Sequence, residues 1–283
     1  MIYPIINGIP CLINEKNSVF QIDDFIHYRD LFFQFSKRSI LKDVIKKILP
    51  SISNNIKAKK NYKYFAEKHI NNISNPRVLV LGGGVLGHGM KSIISYTNIE
   101  FIETDVSLGP RTMLICDAHD IPFENDFFDG VIVQAVLEHV ADPYRCVEEI
   151  YRVLKSDGYI YAESPFIQQV HGREYDFTRF TYLGHRRLFR YFKEIESGSV
   201  CGPGMALAWS YKYFLLSFFQ SRLIRKIVGV FADLTAFYLK YFDYYLVNKN
   251  AALDAASGFY FMGQKAKTIL SDKEIIRLYK GGF

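Results

Sequence analysis

Apolar and polar positions change their rhythm at residue 77. Beyond it, short continuous apolar runs alternate with stretches whose apolar residues recur every three or four positions. That is the pattern of buried strands alternating with amphipathic helices. The runs predict strands over 77–82, 99–104, 112–116, 128–134 and 158–163, then 195–200 and 258–265. Helical spacing predicts helices over about 86–96, 142–155 and 181–192. Strand and helix in alternation imply an α/β fold, a parallel sheet covered by helices.

Before residue 77 the pattern differs. Residues 1–20 predict a small β element, with Asn7-Gly8 as the turn between apolar runs. From Val19 to Leu49 helical spacing returns, carried by Phe25, Leu31, Phe32, Phe35, Ile40, Leu41, Val44, Ile45 and Ile48, and Pro50 ends it. A polar linker, Ser51 to Asn75, holds one short helix around Tyr62 to Ile70. Residues 204–250 predict a helical insert before the last strand, with Ile227, Val230, Leu234, Tyr238, Tyr241 and Tyr245 along one face. A short amphipathic helix over 271–279 closes the chain. The domain reading is therefore 1–75 as an extension, 76–203 with 251–283 as the core, and 204–250 as the insert.

Charge changes this picture in one place. The net charge is +6, and residues 1–76 hold 12 Lys/Arg against 6 Asp/Glu while residues 77–283 hold 23 of each. The excess lies mostly between Lys42 and Lys68, which reads as a solvated helix face with an anionic partner as the alternative. Cys11, Cys116, Cys146 and Cys201 are far apart and form no CxxC pair. They predict reduced thiols, a cytoplasmic location and no zinc site. No window carries the roughly 18 uncharged apolar residues that a bilayer span needs.

The candidate chemistry begins where the first core strand ends. Gly82, Gly83, Gly84 and Gly87 follow Leu81 at once, so the backbone can approach a ligand closely without Cβ atoms in the way. Gly82-x-Gly84-x-x-Gly87 with Asp105 some twenty residues on describes a nicotinamide dinucleotide site, and equally a nucleoside site whose carboxylate accepts from ribose hydroxyls. Glu103, two positions earlier, competes with Asp105 for that role.

Three further pieces follow in order: Ile115-Cys-Asp-Ala-His-Asp-Ile-Pro-Phe123, Phe127 to Val140, and Ala141 to Gly158. Together with the glycine loop this set resembles the class I S-adenosylmethionine-dependent methyltransferases, specifically the type-11 group, over roughly 77–200 and 257–265. The resemblance implies a Rossmann-like seven-stranded sheet, six strands parallel and one antiparallel, and S-adenosylmethionine as cofactor. It implies that Gly82, Gly83, Gly84 and Gly87 surround the cofactor's amino-acid end and Asp105 holds the ribose diol. Asp117 and the Ala118 N–H would read the adenine, and Gln134 would face the sulfonium. Where the family has an acidic residue two positions before the first glycine, this chain has Val80. In relatives that use the Glu138-His139 pair for a divalent metal, another acidic residue stands three positions before it. Ala135 is there in this chain, so no metal is predicted. The short string Tyr3 to Ile13 is similar to the end of a zinc-ribbon-like module, without its cysteines.

The loop 163–180 leaves the carboxyl edge of the fifth core strand, where α/β folds place ligands. It concentrates His171, Arg173, Glu174, Tyr175, Asp176 and Arg179. A hydroxyl acceptor needs a base, and His171 or Asp176 fits that role, with His139 next; Arg173, Tyr175 and Arg179 fit acceptor binding. An ion-paired loop, such as Asp176 with Arg179, is the alternative. The Pro-Phe…His-Gly…Asp-Phe…Arg-Phe pattern is similar to relatives associated with surface-polysaccharide synthesis, which implies a sugar or glycan-precursor acceptor. The insert holds 13 aromatic residues beside Lys212, Arg222, Arg225, Lys226, Lys240 and Lys249. It reads as core, lid or homodimer surface, with peripheral contact to the inner membrane face as the alternative. The functional expectation is an enzyme moving a methyl group to a hydroxyl of a small polar or glycan acceptor. The competing reading is a non-catalytic relative used for binding or scaffolding. A nucleic-acid substrate is disfavoured, because no Asn/Asp-Pro-Pro-Tyr-type base pocket follows the fourth core strand.

Overall fold

The computed structural model describes residues 3–27 and 50–282. The helical expectation over 28–49 and the Lys42 to Lys47 part of the basic run lie outside the described residues. A hairpin opens the chain, β1 (Ile5–Ile6) against β2 (Ile9–Pro10), turning through Asn7 and Gly8, both at positive φ. Asn and Gly are the residues that tolerate that geometry. A short helix α1 (Ile22–Ile26) follows. Helix α2 (Ala58–Phe65) continues into a π-helical turn, Ala66–Ile70, so the predicted short helix begins earlier than its apolar spacing suggests.

The sheet strands are β3 (Arg77–Leu81), β4 (Glu100–Asp105), β5 (Leu114–Ile115), β6 (Phe128–Gln134), β7 (Leu154–Pro165), β8 (Phe192–Cys201) and β9 (Gly258–Lys265). Their order is β5-β4-β3-β6-β7-β9-β8, and β9 alone runs antiparallel to its neighbours. The seven strands thus form the predicted Rossmann-like sheet, six parallel and one antiparallel. Alternation sends Val78 and Val80 to one face and Leu79 and Leu81 to the other. The first pair packs with Tyr62, Phe65 and Ile70 below α2, the second with Val131, Val133, Ile150 and Phe261. Val80 is therefore a buried core residue.

Between the strands run α3 (Lys91–Ile94), α4 (Pro143–Val153) and α5 (Tyr182–Leu188). Helix α3 is far shorter than the predicted 86–96. Gly89 adopts φ +81°, and a Cβ there would run into the Ala58–Lys59 backbone, so the glycine loop runs on and the helix starts late. Helix α4 begins with Asp142 as its cap, accepting from the Arg145 N–H, and Pro143 in the first turn. The chain order of crossovers reverses between β3 and β6. That reversal opens a crevice at their carboxyl ends.

The insert folds as α6 (Pro203–Leu216), α7 (Arg222–Ala236), a 3-10 segment (Phe237–Phe242) and α8 (Asp243–Leu246). The fully buried Asp243 carboxylate accepts from the Gly204 and Met205 N–H groups and caps α6. Lys212 pairs with Asp233 across α6 and α7. The predicted face Ile227, Val230, Leu234, Tyr238, Tyr241 and Tyr245 points outward, with 37–69% of each residue exposed. Periodicity found the stripe but could not tell which way it turns. Helix α9 (Asp272–Ile276) ends the fold with a Ser271–Glu274 capping box. Among the described residues no helix is long and apolar enough to cross a membrane.

Candidate active site

The crevice between β3 and β6 opens into a cavity of about 410 Å³. Gly82, Gly87, Asp105, Asp117, Ala118 and Gln134 line it, from four different strand ends. Gly82 sits at φ +70°, which opens the turn after β3. Gly83 donates to the Thr104 carbonyl at 2.9 Å and does not line the cavity. Gly84 is also off the wall, but its N–H donates to Asp105 Oδ2 at 2.9 Å. A Cβ there would lie 2.7 Å from that oxygen. Gly87 packs on Gln134, leaving no space for a side chain.

Asp105 Oδ1 accepts from the Ser107 N–H and hydroxyl, at 2.9 and 2.8 Å. With Gly84 on Oδ2, three of about four carboxylate acceptor positions are filled. One remains, toward the cavity: room for one ribose hydroxyl rather than both. Glu103, the competing residue, is paired with Arg111 at 2.8 Å and lies off the cavity. Asp117 is similarly engaged. Its Oδ1 accepts from the His119 N–H and Nδ1, and its Oδ2 from the Ser18 hydroxyl at 2.5 Å. These donors outweigh the burial that opposes them and hold its carboxyl below the usual range. Again one acceptor position remains, the number an adenine amino group requires.

At the centre, Gln134 donates to the His88 carbonyl and to Glu163 Oε2, at 3.1 and 2.8 Å. Its own Oε1 is buried with no hydrogen-bond partner. Glu163 also accepts from Asn55 at 2.7 Å and from the Tyr161 hydroxyl at 2.5 Å. This buried amide–carboxylate group is the polar floor beneath the glycine loop. Sequence reading missed Asn55 and Glu163 as site residues, and Ser18, Val19 and Phe20 as well. All but Glu163, which heads the loop 163–180, reach the site from outside the recognised motifs, and their spacing carries no signal.

After Gln134, Ala135 takes φ +54°, a left-handed turn that a non-glycine residue enters at a cost. The chain then presents Glu138 and His139. The Glu138 carbonyl accepts from the Phe177 and Thr178 N–H groups and so pins loop 163–180 against it. His171, His139 and Tyr175 all line the cavity. The Glu138 side chain is fully buried, neither carboxylate oxygen has a hydrogen-bond partner, and burial pushes its carboxyl up to about 8. His139 Nε2 and His171 Nε2 each lie 3.8 Å from Glu138 Oε1. Burial holds the His139 imidazole below its usual pKa.

The rest of the loop divides differently from expectation. Asp176 accepts from the His171 and Gly172 N–H groups and pairs with Arg179, which together overcome its burial and hold its carboxyl well below the usual range. It lies off the cavity. So engaged, it is a poor proton acceptor and serves as the loop's anchor. Arg179 donates to the carbonyls of Gln168, Gln169 and Thr178, and it too lies off the cavity. This is the ion-paired alternative at that pair. Arg173 is exposed at φ +50° and does not reach the wall. Tyr175 contributes its ring, stacked on Phe20 at 5.7 Å, and its carbonyl, which faces His139 Nδ1 at 2.7 Å. The insert backs the loop: Ser210 accepts from Gln169 and the Tyr213 hydroxyl donates to the Val170 carbonyl.

Residues 92–162 match the family described as "Methyltransferase domain". Over 171 residues the chain is 26% identical to the ubiquinone/menaquinone biosynthesis C-methyltransferase of Geotalea daltonii, covering 54% of this chain and 67% of that protein. Among solved structures it is similar to the O-methyltransferase of a trans-AT polyketide synthase from Brevibacillus brevis, at 13% identity and TM-score 0.49, covering 78% of this chain and 76% of that one. A structure from Galdieria sulphuraria, described as a "putative sarcosine dimethylglycine methyltransferase", is similar at 15% identity and TM-score 0.43, covering 69% and 80%. The family match and the curated relative support a class I methyltransferase that uses S-adenosylmethionine.

Proposed function

We propose that the chain transfers a methyl group from S-adenosylmethionine to a hydroxyl of a small polar or glycan-precursor acceptor. One observation carries the reading. A single cavity joins the glycine loop, Asp105 and Asp117 to the Glu138–His139–His171 cluster on the far side of Gln134. The wall fits the cofactor: Asp105 and Asp117 each keep one acceptor position, and the unpartnered Gln134 Oε1 awaits a donor. When bound, the cofactor supplies an electrophilic methyl on a sulfonium. The residues then orient the acceptor, exclude water and receive its proton.

The acceptor reading is supported by the loop. It brings His171 to the cavity against Glu138 and His139 from the turn after β6, so two imidazoles and a carboxylate gather beside Gln134, the groups needed to hold and deprotonate a hydroxyl. A methyl-transfer assay with labelled S-adenosylmethionine, run against hydroxyl, amine and carbon acceptors, tests it. Transfer to sugar nucleotides or other polyols supports the proposal; transfer only to carbon or nitrogen overturns the acceptor assignment.

The insert suggests where the acceptor is met. Phe218, Leu223, Ile227 and Phe231 are 54–68% exposed, and Arg222 and Lys226 stand exposed among them. The two acidic residues of the insert, Asp233 and Asp243, are both used internally. An apolar face ringed by cations and free of exposed acids complements an anionic lipid surface. We propose peripheral membrane contact through this face.

A further inference from the structure

We propose that Glu138, His139 and His171 form a binding site for one divalent transition-metal ion, facing the cavity. One carboxylate oxygen and two imidazole nitrogens lie within 4.8 Å of one another. The rings meet edge to face, with centroids 4.9 Å apart. The sequence predicts no metal, because Ala135 stands where relatives have an acidic residue. The third group comes instead from the loop after β7, and only the fold brings it there.

Two features distinguish this cluster from a chance gathering of polar groups. First, both imidazoles are oriented the same way. His139 Nδ1 lies 2.7 Å from the Tyr175 carbonyl and His171 Nδ1 lies 3.2 Å from the Gln169 carbonyl. A carbonyl oxygen can only accept, so His139 Nδ1 carries the proton; His171 Nδ1 also lies 3.4 Å from the Arg179 guanidinium, a donor, and both rings place Nε2 3.8 Å from Glu138 Oε1. Metal-binding histidines are held in this way, with the other ring nitrogen donating to a backbone carbonyl. Second, Glu138 is fully buried with no hydrogen-bond partner on either oxygen. A buried carboxylate without a donor needs an explanation. The Arg179 guanidinium does not provide one, since Asp176 and three carbonyls occupy it. An ion 2.0–2.2 Å from each ligand would satisfy the unpartnered carboxylate after small side-chain rotations.

Three protein ligands with the remaining positions open make a catalytic rather than a structural arrangement. Imidazole and carboxylate together suit Zn²⁺, Fe²⁺, Co²⁺ or Mn²⁺. The open positions face the cavity, where an acceptor oxygen can bind and lose its proton more readily. That role rests on the proposed methyl transfer; binding of the ion does not.

The test uses the full chain without a polyhistidine tag, stripped with chelator and titrated calorimetrically with Zn²⁺ and Mn²⁺ in the absence of S-adenosylmethionine. Co²⁺ titration followed by visible absorption reports the coordination directly. The expected result is one ion per chain, with binding weakened at least about 10–100-fold in Glu138→Gln and His171→Ala, no less than loss of an outer-shell partner costs. Glu138→Gln keeps the side-chain shape, and His171 lies on a partly exposed loop, so thermal unfolding confirms that each variant folds. No stoichiometric binding, or equal binding by wild type and both variants, overturns the proposal. Because cofactor is absent, neither result bears on the methyl-transfer reading.

Discussion

The Ser18 hydroxyl donates to the Asp117 carboxylate at 2.5 Å, across 99 residues of sequence. The N-terminal extension is thereby part of the cavity wall. Cys11 pairs with Ile115 at the sheet edge, Asn14 and Asn17 donate to Asp120, and Phe20 stacks on Tyr175. A segment that reads as an accessory element closes the Asp117 end of the site.

Ser18→Ala should therefore destabilise the fold. A hydrogen bond to a charged, largely buried acceptor contributes about 1.5–3 kcal/mol. Denaturant unfolding should show a loss in that range, and an unchanged midpoint would detach the extension from the core.

His171→Ala should lower turnover by about 10²–10⁴-fold, the contribution of a positioned group that handles the acceptor's proton. Cofactor affinity should stay near wild type, because the proposed cofactor contacts lie on other loops. Asp176→Asn should act differently from a lost base, loosening the loop through its bonds to His171, Gly172 and Arg179. It should raise the acceptor KM more than it lowers kcat. Equal turnover in wild type and His171→Ala would remove this loop from the chemistry.

These expectations show how far the sequence carried. The sheet, its glycine turn, Asp105 and Asp117 lie in local patterns: apolar runs, glycine spacing, a carboxylate at a strand end. The loop 163–180 was legible as a cluster of chemical groups. Its internal division was not, since only the fold shows that Asp176 and Arg179 anchor the loop while His171 faces the cavity. Ser18, Asn55 and Glu163 act through partners about 100 residues away, and spacing has no access to such contacts. The helix expected over 86–96 failed for a local reason, the positive-φ Gly89 pressed on the α2 backbone.

His185 supplies a pH dependence of stability. It is buried among Phe180, Phe189 and Phe259, its Nε2 has no partner, and burial pushes its pKa down to about 3. Between that value and the unfolded value near 6.5 the unfolded chain binds the proton and the folded chain does not, so stability falls as pH falls through this window. At pH 5 the wild type should lose about 2 kcal/mol relative to pH 7 that His185→Gln does not lose. Parallel stability–pH curves for the two proteins would contradict this.

Membrane contact through the insert predicts co-sedimentation with anionic vesicles, weakening as ionic strength rises. Ile227→Asp with Phe231→Ser should abolish it without altering the fold, since both side chains are mostly exposed. Equal sedimentation with neutral and anionic vesicles would contradict the charge argument, and no sedimentation with either would return this face to a dimer surface.

The central claim is that S-adenosylmethionine occupies the cavity with its ribose on Asp105. Calorimetric titration of the wild type and Asp105→Ala with S-adenosylhomocysteine, and with NAD as the competing nucleotide, tests it most directly. The wild type should bind one S-adenosylhomocysteine per chain and no NAD. The variant should lose about 1.5–3 kcal/mol of that binding, the range for hydrogen bonds to a charged acceptor. Binding of NAD, or an affinity for S-adenosylhomocysteine unchanged by Asp105→Ala, would contradict the account.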